Sequence, residues 1–157
     1  MTKYNYKLAD TADKDEVDFL VKLNNSINLN TYEIKRTNHI SKYFSVDYQI
    51  FKDNEIVLNL ELKSRTDISH IATEYKSFMI GKRKLDTIRE KFKKTILIWN
   101  CKKTGKFYFT RFKNEFNDLD IGYMGVSAVQ YIPVDECSSG FDELIKDIND
   151  YCASSNV

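Results

Sequence analysis

The most regular hydrophobic pattern in the chain is an alternation of apolar and polar residues over positions 56–63. Every second residue is aliphatic: Ile56, Leu58, Leu60 and Leu62. The residues between them become polar toward the end of the run: Val57, Asn59, Glu61 and Lys63. Because successive side chains of a β-strand point to opposite faces, this pattern predicts a strand with one apolar face and charged side chains at the end of the other.

Shorter runs predict the other strands, over residues 31–36, 46–51, 95–101, 106–112 and 129–134. The alternation in residues 46–51 gives two faces: Val46, Tyr48 and Ile50 on one, and Asp47, Gln49 and Phe51 on the other. The polar residues 52–55 predict a turn that joins this strand to the next.

Apolar residues at helical spacing predict three helices, over residues 13–27, 80–94 and from 139 onward. Asp13 would cap the first helix with Glu16 as its capping-box partner, and Ser139 would cap the last. The residues expected to face inward are Leu85, Ile88 and Phe92 in the second helix, and Phe141, Leu144, Ile145, Ile148 and Cys152 in the last. Residues 114–128 give no clear pattern. The order of elements predicts an α/β (α+β) fold with a single mixed central sheet flanked by helices.

Composition is consistent with one soluble domain over residues 1–157, since 42% of the residues are hydrophobic and 30% charged. No apolar run approaches the ~20 residues needed to cross a bilayer, and the N-terminus lacks the apolar core of a signal peptide. We therefore expect a cytoplasmic or nucleoplasmic protein that is neither secreted nor bound to a membrane. Cys101, Cys137 and Cys152 form no Cys-x-x-Cys pair, which favours reduced packing thiols over a zinc site.

The net charge of +1 conceals two regions of opposite charge. Residues 82–94 contain seven Lys or Arg and two acids, whereas residues 114–157 contain nine acids and one Lys. A basic segment in a nearly neutral protein fits a localised contact with phosphate groups. A solvated helix face is the alternative interpretation of the same charges.

Asp47, Glu61 and Lys63 form the most specific polar constellation in the sequence. Glu61 and Lys63 share one face of their strand, and Asp47 would lie opposite Glu61 if paired residue numbers sum to 108. A three-residue turn over 53–55 would give this register, and a slip of one residue would move Asp47 to the other face. Two further Glu-x-Lys triplets, at 33–35 and 74–76, lack this strand context.

The chemistry expected of this constellation is metal binding. Two neighbouring carboxylates repel each other unless a cation lies between them, and oxygen ligands without His or Cys suit Mg²⁺, for which Mn²⁺ can substitute. The backbone carbonyl of Leu62 could add a ligand, and Lys63 would orient or deprotonate a water molecule or stabilise charge on a phosphate. The alternative is a surface salt bridge at a sheet edge.

Three segments together resemble the PD-(D/E)xK nuclease superfamily: Val46-Asp47, Leu60-Glu61-Leu62-Lys63 and Gly81-Lys82-Arg83-Lys84-Leu85. The resemblance covers about residues 13–101 and implies a restriction-endonuclease-like αβββαβ core, followed by C-terminal strands and an acidic helix over 102–157. It also implies that Asp47 and Glu61 bind Mg²⁺ and that Lys63 assists hydrolysis. By the same resemblance Glu16 is a candidate further ligand and Lys84 a candidate supporting residue. Val46 stands where the family has its name-giving Pro.

The resulting hypothesis is a Mg²⁺-dependent endonuclease that hydrolyses phosphodiester bonds in DNA and selects structure more than sequence. Candidate nucleic-acid-binding residues are Arg65, Lys82, Arg83, Lys84 and Lys91, and Gln49 is a candidate supporting residue because it shares a strand face with Asp47. Cutting two strands with single-site subunits would favour a homodimer. The alternative function is a catalytically inactive accessory protein of nuclease fold that binds DNA or another protein.

Overall fold

The computed structural model describes residues 6–27, 30–37, 46–65 and 77–154. The helices are α1 (Tyr6–Asn24), α2 (Lys82–Lys91) and α3 (Phe141–Ala153). The strands are β1 (Glu33–Arg36), β2 (Tyr48–Lys52), β3 (Glu55–Arg65), β4 (Ser77–Gly81), β5 (Thr95–Cys101), β6 (Lys106–Arg111), β7 (Ile121–Met124), β8 (Ser127–Pro133) and β9 (Ser138–Ser139). Two short 3-10 helices cover Asn114–Asp118 and Val134–Glu136.

The described strands form two sheets. Six strands lie in the order β1-β2-β3-β5-β6-β9, with β3 and β5 parallel and the other neighbours antiparallel. This confirms the predicted fold class, a mixed sheet with flanking helices. A second, three-stranded antiparallel sheet, β4-β8-β7, was not predicted.

The start of α2 differs from the prediction because of β4. Ile80, predicted as the first helical residue, lies in β4, where it pairs with Gln130 of β8 and is fully buried. The helix begins at Lys82, after Gly81 in an extended conformation. Pairing with β8 therefore overrides the helical spacing at this end, while Leu85 and Ile88 face inward as expected.

The β2–β3 hairpin has the predicted register next to Asp47 but reaches it by another route. Tyr48 pairs with Leu60 and Gln49 with Asn59, so the paired numbers sum to 108. The turn consists of two residues, Asp53 and Asn54, which both have positive φ. Such a turn suits a two-residue hairpin, and Asp and Asn tolerate this backbone region better than most residues.

A β-bulge compensates for the turn, which is one residue shorter than predicted. Phe51 pairs with Ile56 and Ile50 with Leu58, which leaves Val57 without a partner in the ladder. A bulge places two residues opposite one and reverses the facing of the residues beyond it. Consequently Ile56, predicted to be on the apolar face, is 45% exposed, and Val57 packs against the core instead.

Two of the predicted helix caps are wrong. Helix α1 begins at Tyr6, so Asp13 lies inside the helix and cannot cap it. Ser139 lies in β9, where it pairs with Tyr108, and Gly140 precedes α3. The apolar face of α3 is confirmed, since Leu144, Ile148 and Cys152 are buried with Phe141 and Ile145 packed beside them.

Each face of the six-stranded sheet has its own apolar cluster. On one, here called the α1/α3 face, the buried residues include Phe19, Leu60 and Ile148. On the other, the α2 face, they include Leu85 and Trp99. Val46, predicted to share a face with Tyr48 and Ile50, belongs to the cluster of the α2 face because β2 starts only at Tyr48. Among the described helices, none is long and apolar enough to span a membrane.

Candidate metal and nucleic-acid site

Asp47 lies where β2 begins and is 5% exposed. Its backbone N–H donates to the carbonyl of Leu60 at 3.0 Å, and its Oδ2 accepts a hydrogen bond of 2.7 Å from the N–H of Leu62. The carboxylate thus satisfies a backbone donor of β3 at the end of the β2–β3 ladder. These two contacts fix the Asp47 side chain against the strand that carries Glu61.

Glu61 lies on the α2 face of β3 and is 2% exposed. The ammonium of Lys84 in α2 lies 3.1 Å from Glu61 Oε2, and that of Lys63 lies 4.0 Å from Oε1. Within the described part of the chain, Oε2 has no hydrogen bond of good geometry. Glu61 is therefore a buried carboxyl with two cations beside it and unused acceptor capacity.

The pKa of Glu61 is raised well above its ordinary value. Burial is the largest cause, and the charge of Asp47 and a hydrogen bond with that side chain raise the pKa further, whereas Lys63 and Lys84 lower it. Either a proton or another cation thus reduces the repulsion within the pair.

Glu16 reaches the same place from α1. Arg36 of β1 donates its Nε–H to Glu16 Oε2 at 2.9 Å, and the hydroxyl of Tyr48 donates to the Glu16 carbonyl at 2.7 Å. The pKa of Glu16 is raised by burial and by the charge of Asp47, against the lowering effect of Arg36. The structure thus brings Glu16 close to Asp47, and Asp47 close to Glu61, with Arg36 as a partner of Glu16 that the sequence did not identify.

The carboxylate oxygens of Asp47 and Glu61 are ligands of the kind that a hard divalent cation prefers. Mg²⁺ is usually held by one or two carboxylates and several water molecules, which Asp47 and Glu61 can provide. No three His, Cys, Asp or Glu side chains of the described residues already converge into a metal cage. The pair fits a partly hydrated ion, and the roles of Glu16 and of the Leu62 carbonyl as further ligands stay predictions.

Lys63 is the most accessible member of the constellation. Its side chain is 31% exposed, while those of Glu61 and Lys84 are 2% and 6% exposed. Lys63 pairs with Trp99 of β5 in the parallel ladder, two residues beyond the pair of Glu61 with Leu97. Its ammonium therefore lies between the buried carboxyl pair and solvent, where a substrate phosphate could reach it.

The predicted phosphate-binding cations lie in different environments. Lys84 is buried against Glu61, and its supporting role stays a prediction. Lys82 is paired with Asp86 at 2.7 Å, and Arg65 donates to the Met79 carbonyl at 3.2 Å. Arg83 and Lys91 lie on the exposed side of α2.

A chain of amide hydrogen bonds adjoins the carboxyl pair. Gln49 Nε2 donates to Asn59 Oδ1 at 3.2 Å, and Asn59 Nδ2 donates to the Lys94 carbonyl at 3.0 Å. Gln49 thus lies two residue positions along the hairpin from Asp47, and its supporting role stays a prediction. Asn59 was not singled out, although a buried amide in the middle of an apolar strand is a recognisable signal, because it requires partners.

The other two Glu-x-Lys triplets do not resemble this site as far as they are described. Glu33 and Lys35 are exposed on β1, an edge strand, and their charged groups are 3.8 Å apart. An exposed pair of this kind contributes little to stability or chemistry. The triplet at 74–76 lies outside the described residues.

Comparison with solved structures identifies a fold neighbour. A nuclease from a fusselovirus aligns with a TM-score of 0.55 at 11% sequence identity, covering 96% of this chain and 96% of that protein. The chain shares the fold of this viral nuclease. No protein-family model and no curated protein matches the sequence.

Proposed function

We propose that this protein is a metal-dependent endonuclease of the PD-(D/E)xK type that hydrolyses phosphodiester bonds in DNA and selects structure more than sequence. The observation that carries the proposal is the buried Asp47–Glu61 pair, with Lys63 at its solvent side. The fold shared with a viral nuclease is consistent with it. The proposal includes soluble, cytoplasmic or nucleoplasmic action and a homodimer for cutting two strands.

In this proposal Asp47 and Glu61 hold Mg²⁺, and Glu16 and the Leu62 carbonyl complete its protein ligands. A metal ion at this position supplies an acidified water molecule and neutralises charge on the scissile phosphate. Asp47 is held in place by the N–H of Leu62, and Lys84 keeps Glu61 oriented from α2. Lys63 contacts the reacting phosphate and stabilises the negative charge that develops on it.

The first test is cleavage of labelled DNA with and without Mg²⁺. Asp47→Asn should reduce cleavage by about a thousandfold or more, since it removes ~4 kcal/mol of transition-state stabilisation. Ile148→Val, a conservative change on the α1/α3 face, is the matched control and should retain cleavage within about twofold per folded molecule. Equal losses in the two variants, or cleavage that does not require Mg²⁺, would contradict the proposal.

Metal binding is tested separately from turnover. Titration with Mn²⁺, followed by the electron paramagnetic resonance of the free ion, should show binding by the native chain that Asp47→Asn and Glu61→Gln weaken. The single tryptophan, Trp99, is buried beside Lys63 in the ladder and gives a second, fluorescent signal. If Mn²⁺ binds the native chain and both variants alike, these carboxylates are not its ligands.

The alternative function, an inactive accessory protein of nuclease fold, is favoured by one observation. Lys84 already places a cation 3.1 Å from Glu61, so the carboxyl pair is partly neutralised without a metal. A chain that binds DNA at low salt but neither cleaves it nor binds Mn²⁺ would support this alternative.

A further inference from the structure

A cleft of about 700 Å³ opens at the end of the six-stranded sheet where β3 and β5 begin, and residues from both faces line it, Phe92 just after α2 and Tyr151 of α3. Its wall includes Gln49 and Asn59, which lie two residue positions along the hairpin from Asp47 and Glu61. Two residues of a strand span roughly 7 Å, about the distance between consecutive phosphates of an extended nucleic-acid strand. Lys63 lies two residues from Glu61 in the other direction along β3, so the cleft is placed to receive a nucleotide one or two phosphates from the reacting bond.

The lining of the cleft combines three kinds of groups. Four of its residues are lysines: Lys91, Lys93, Lys94 and Lys113. Aromatic and aliphatic side chains form the apolar part of the wall, and Gln49, Asn59 and Asn114 add amides. None of the described residues that line it is an Asp or Glu, although the chain as a whole contains almost as many acids as bases.

The lysines are not equivalent. Lys113 is paired with Glu136 at 2.8 Å, and Lys94 donates to the Ser154 carbonyl and lies 5.0 Å from the ring centre of Tyr151. Lys91 and Lys93 are exposed at the point where α2 ends and β5 is about to begin. Of these two, Lys93 has no ion pair or hydrogen bond with any side chain among the described residues.

We propose that this cleft binds an unpaired nucleotide of the DNA substrate, one or two nucleotides from the scissile phosphate. Resting on the function proposed above, this inference makes the enzyme selective for single-stranded tails, flaps or frayed ends. Clefts of about 300–1,000 Å³ enclose ligands of small-molecule size, a class that includes one nucleotide and excludes a duplex. Cations combined with aromatic groups are typical of surfaces that bind single strands with little sequence preference.

The test measures binding without catalysis. A short fluorescein-labelled oligothymidylate is titrated with the full chain in EDTA, by fluorescence anisotropy at several salt concentrations, and a blunt duplex is titrated in parallel. Lys93→Gln removes one cation from the cleft. Lys146→Gln, which removes an exposed cation of α3 that does not line the cleft, is the matched control.

For Lys93→Gln we expect single-strand affinity to fall roughly five- to tenfold at low salt, and the slope of log K against log salt to fall by ~0.7, as for one lost phosphate contact. The single-strand affinity of Lys146→Gln should stay within twofold of the native value. The duplex affinity of Lys93→Gln should also stay within twofold. Equal weakening by both variants, or equal weakening of single-strand and duplex binding, would overturn the inference.

Cleavage assays separate this inference from the proposed function. If Mg²⁺-dependent cleavage depends on Asp47 but Lys93→Gln leaves the preference for flapped over blunt DNA unchanged, the nucleotide site is wrong and the nuclease stands. If no DNA is cleaved while single-strand binding still depends on Lys93, the nucleotide site stands and the nuclease is wrong.

Discussion

The two faces of the six-stranded sheet bury different chemistry along the same strand. On the α1/α3 face, β3 contributes Leu58, Leu60 and Leu62 to an apolar cluster. On the α2 face, the residues between them include buried Asn59, which donates to the Lys94 carbonyl, and buried Glu61, which lies beside the ammonium of Lys84. One face follows the ordinary composition of a protein core, and the other buries groups that cost free energy unless they are paired.

This difference indicates a division between stability and function. Buried ion pairs rarely stabilise a fold more than apolar residues of the same volume would. The polar groups of the α2 face are therefore poorly explained by stability, whereas metal and phosphate binding would account for them. The comparison predicts that mutation lowers the free energy of unfolding at Leu60 but not at Glu61, its neighbour in β3.

The largest expected effect on stability comes from Leu60, which is fully buried on the α1/α3 face. Leu60→Ala should lower the free energy of unfolding by about 2–5 kcal/mol, because it removes apolar contacts and leaves a cavity. Glu61→Gln, its neighbour on the other face, should be close to neutral or stabilising. Urea denaturation of the two variants measures this, and a larger loss for Glu61→Gln than for Leu60→Ala would end the proposed division.

Lys84 offers a smaller effect that tests the pairing on the α2 face. Lys84→Met should cost about 2–3 kcal/mol, less than the 3–5 kcal/mol typical of breaking a buried pair, because Glu61 can take up a proton. The same substitution in a Glu61→Gln background should cost much less, and the difference is the coupling energy. Additive effects in this double-mutant cycle would mean that Lys84 and Glu61 do not interact.

The pH dependence of stability gives a third test, carried out in EDTA. The pKa of Glu61 is higher in the folded chain than its ordinary value of 4.5, chiefly because of burial and then because of Asp47. A carboxyl group of this kind stabilises the fold below its unfolded pKa, and this contribution is lost as the pH rises through its folded pKa. The free energy of unfolding should therefore decrease from mildly acidic toward neutral pH.

Glu61→Gln is the control for that pH profile. It should flatten the decrease, leaving a weaker one due to Glu16, whose pKa is also raised. A native profile that rises over this range, or one that Glu61→Gln leaves unchanged, would show that Glu61 is not the titrating group.

The smallest effect is expected at Ile56, beyond the bulge. Ile56→Thr should change the free energy of unfolding by no more than about 0.5 kcal/mol, because the side chain is half exposed. Leu58→Ala, two residues away on the buried face, should cost several times as much. Similar losses of stability at the two positions would mean that buried and exposed residues alternate without interruption from Ile56 to Leu58. That result would contradict the bulge at Val57.

Much of the fold was predictable where local pattern and burial agree. The limits of β5 match the predicted strand residue for residue, and the apolar residues of α3 face the core as expected. The pairs next to Asp47 have the predicted register, with residue numbers that sum to 108, although the predicted turn does not occur and the pairing of Asp47 itself stays a prediction. A register must place the apolar side chains of both strands on one face, so the correct parity could be inferred without the correct turn.

Other features depended on partners distant in sequence. The strand at Ser77–Gly81 exists because it pairs with β8, a contact across about fifty residues that no local pattern encodes. The basic residues near Lys82 looked alike in sequence, yet Lys84 is buried at Glu61 and Lys93 lines a cleft. Their environments follow from how α2 lies on the sheet.

By itself the sequence determined which residues could form a metal site: two acids and a lysine placed by strand alternation on one face of a hairpin. Only the tertiary structure decided that Glu16 and Arg36 approach this pair from α1 and β1, and that Lys84 partly neutralises it. The physical reason is the distance along the sequence over which each effect acts. Side-chain alternation is a property of a few consecutive residues, whereas burial and charge neutralisation depend on elements that meet only after the chain has folded.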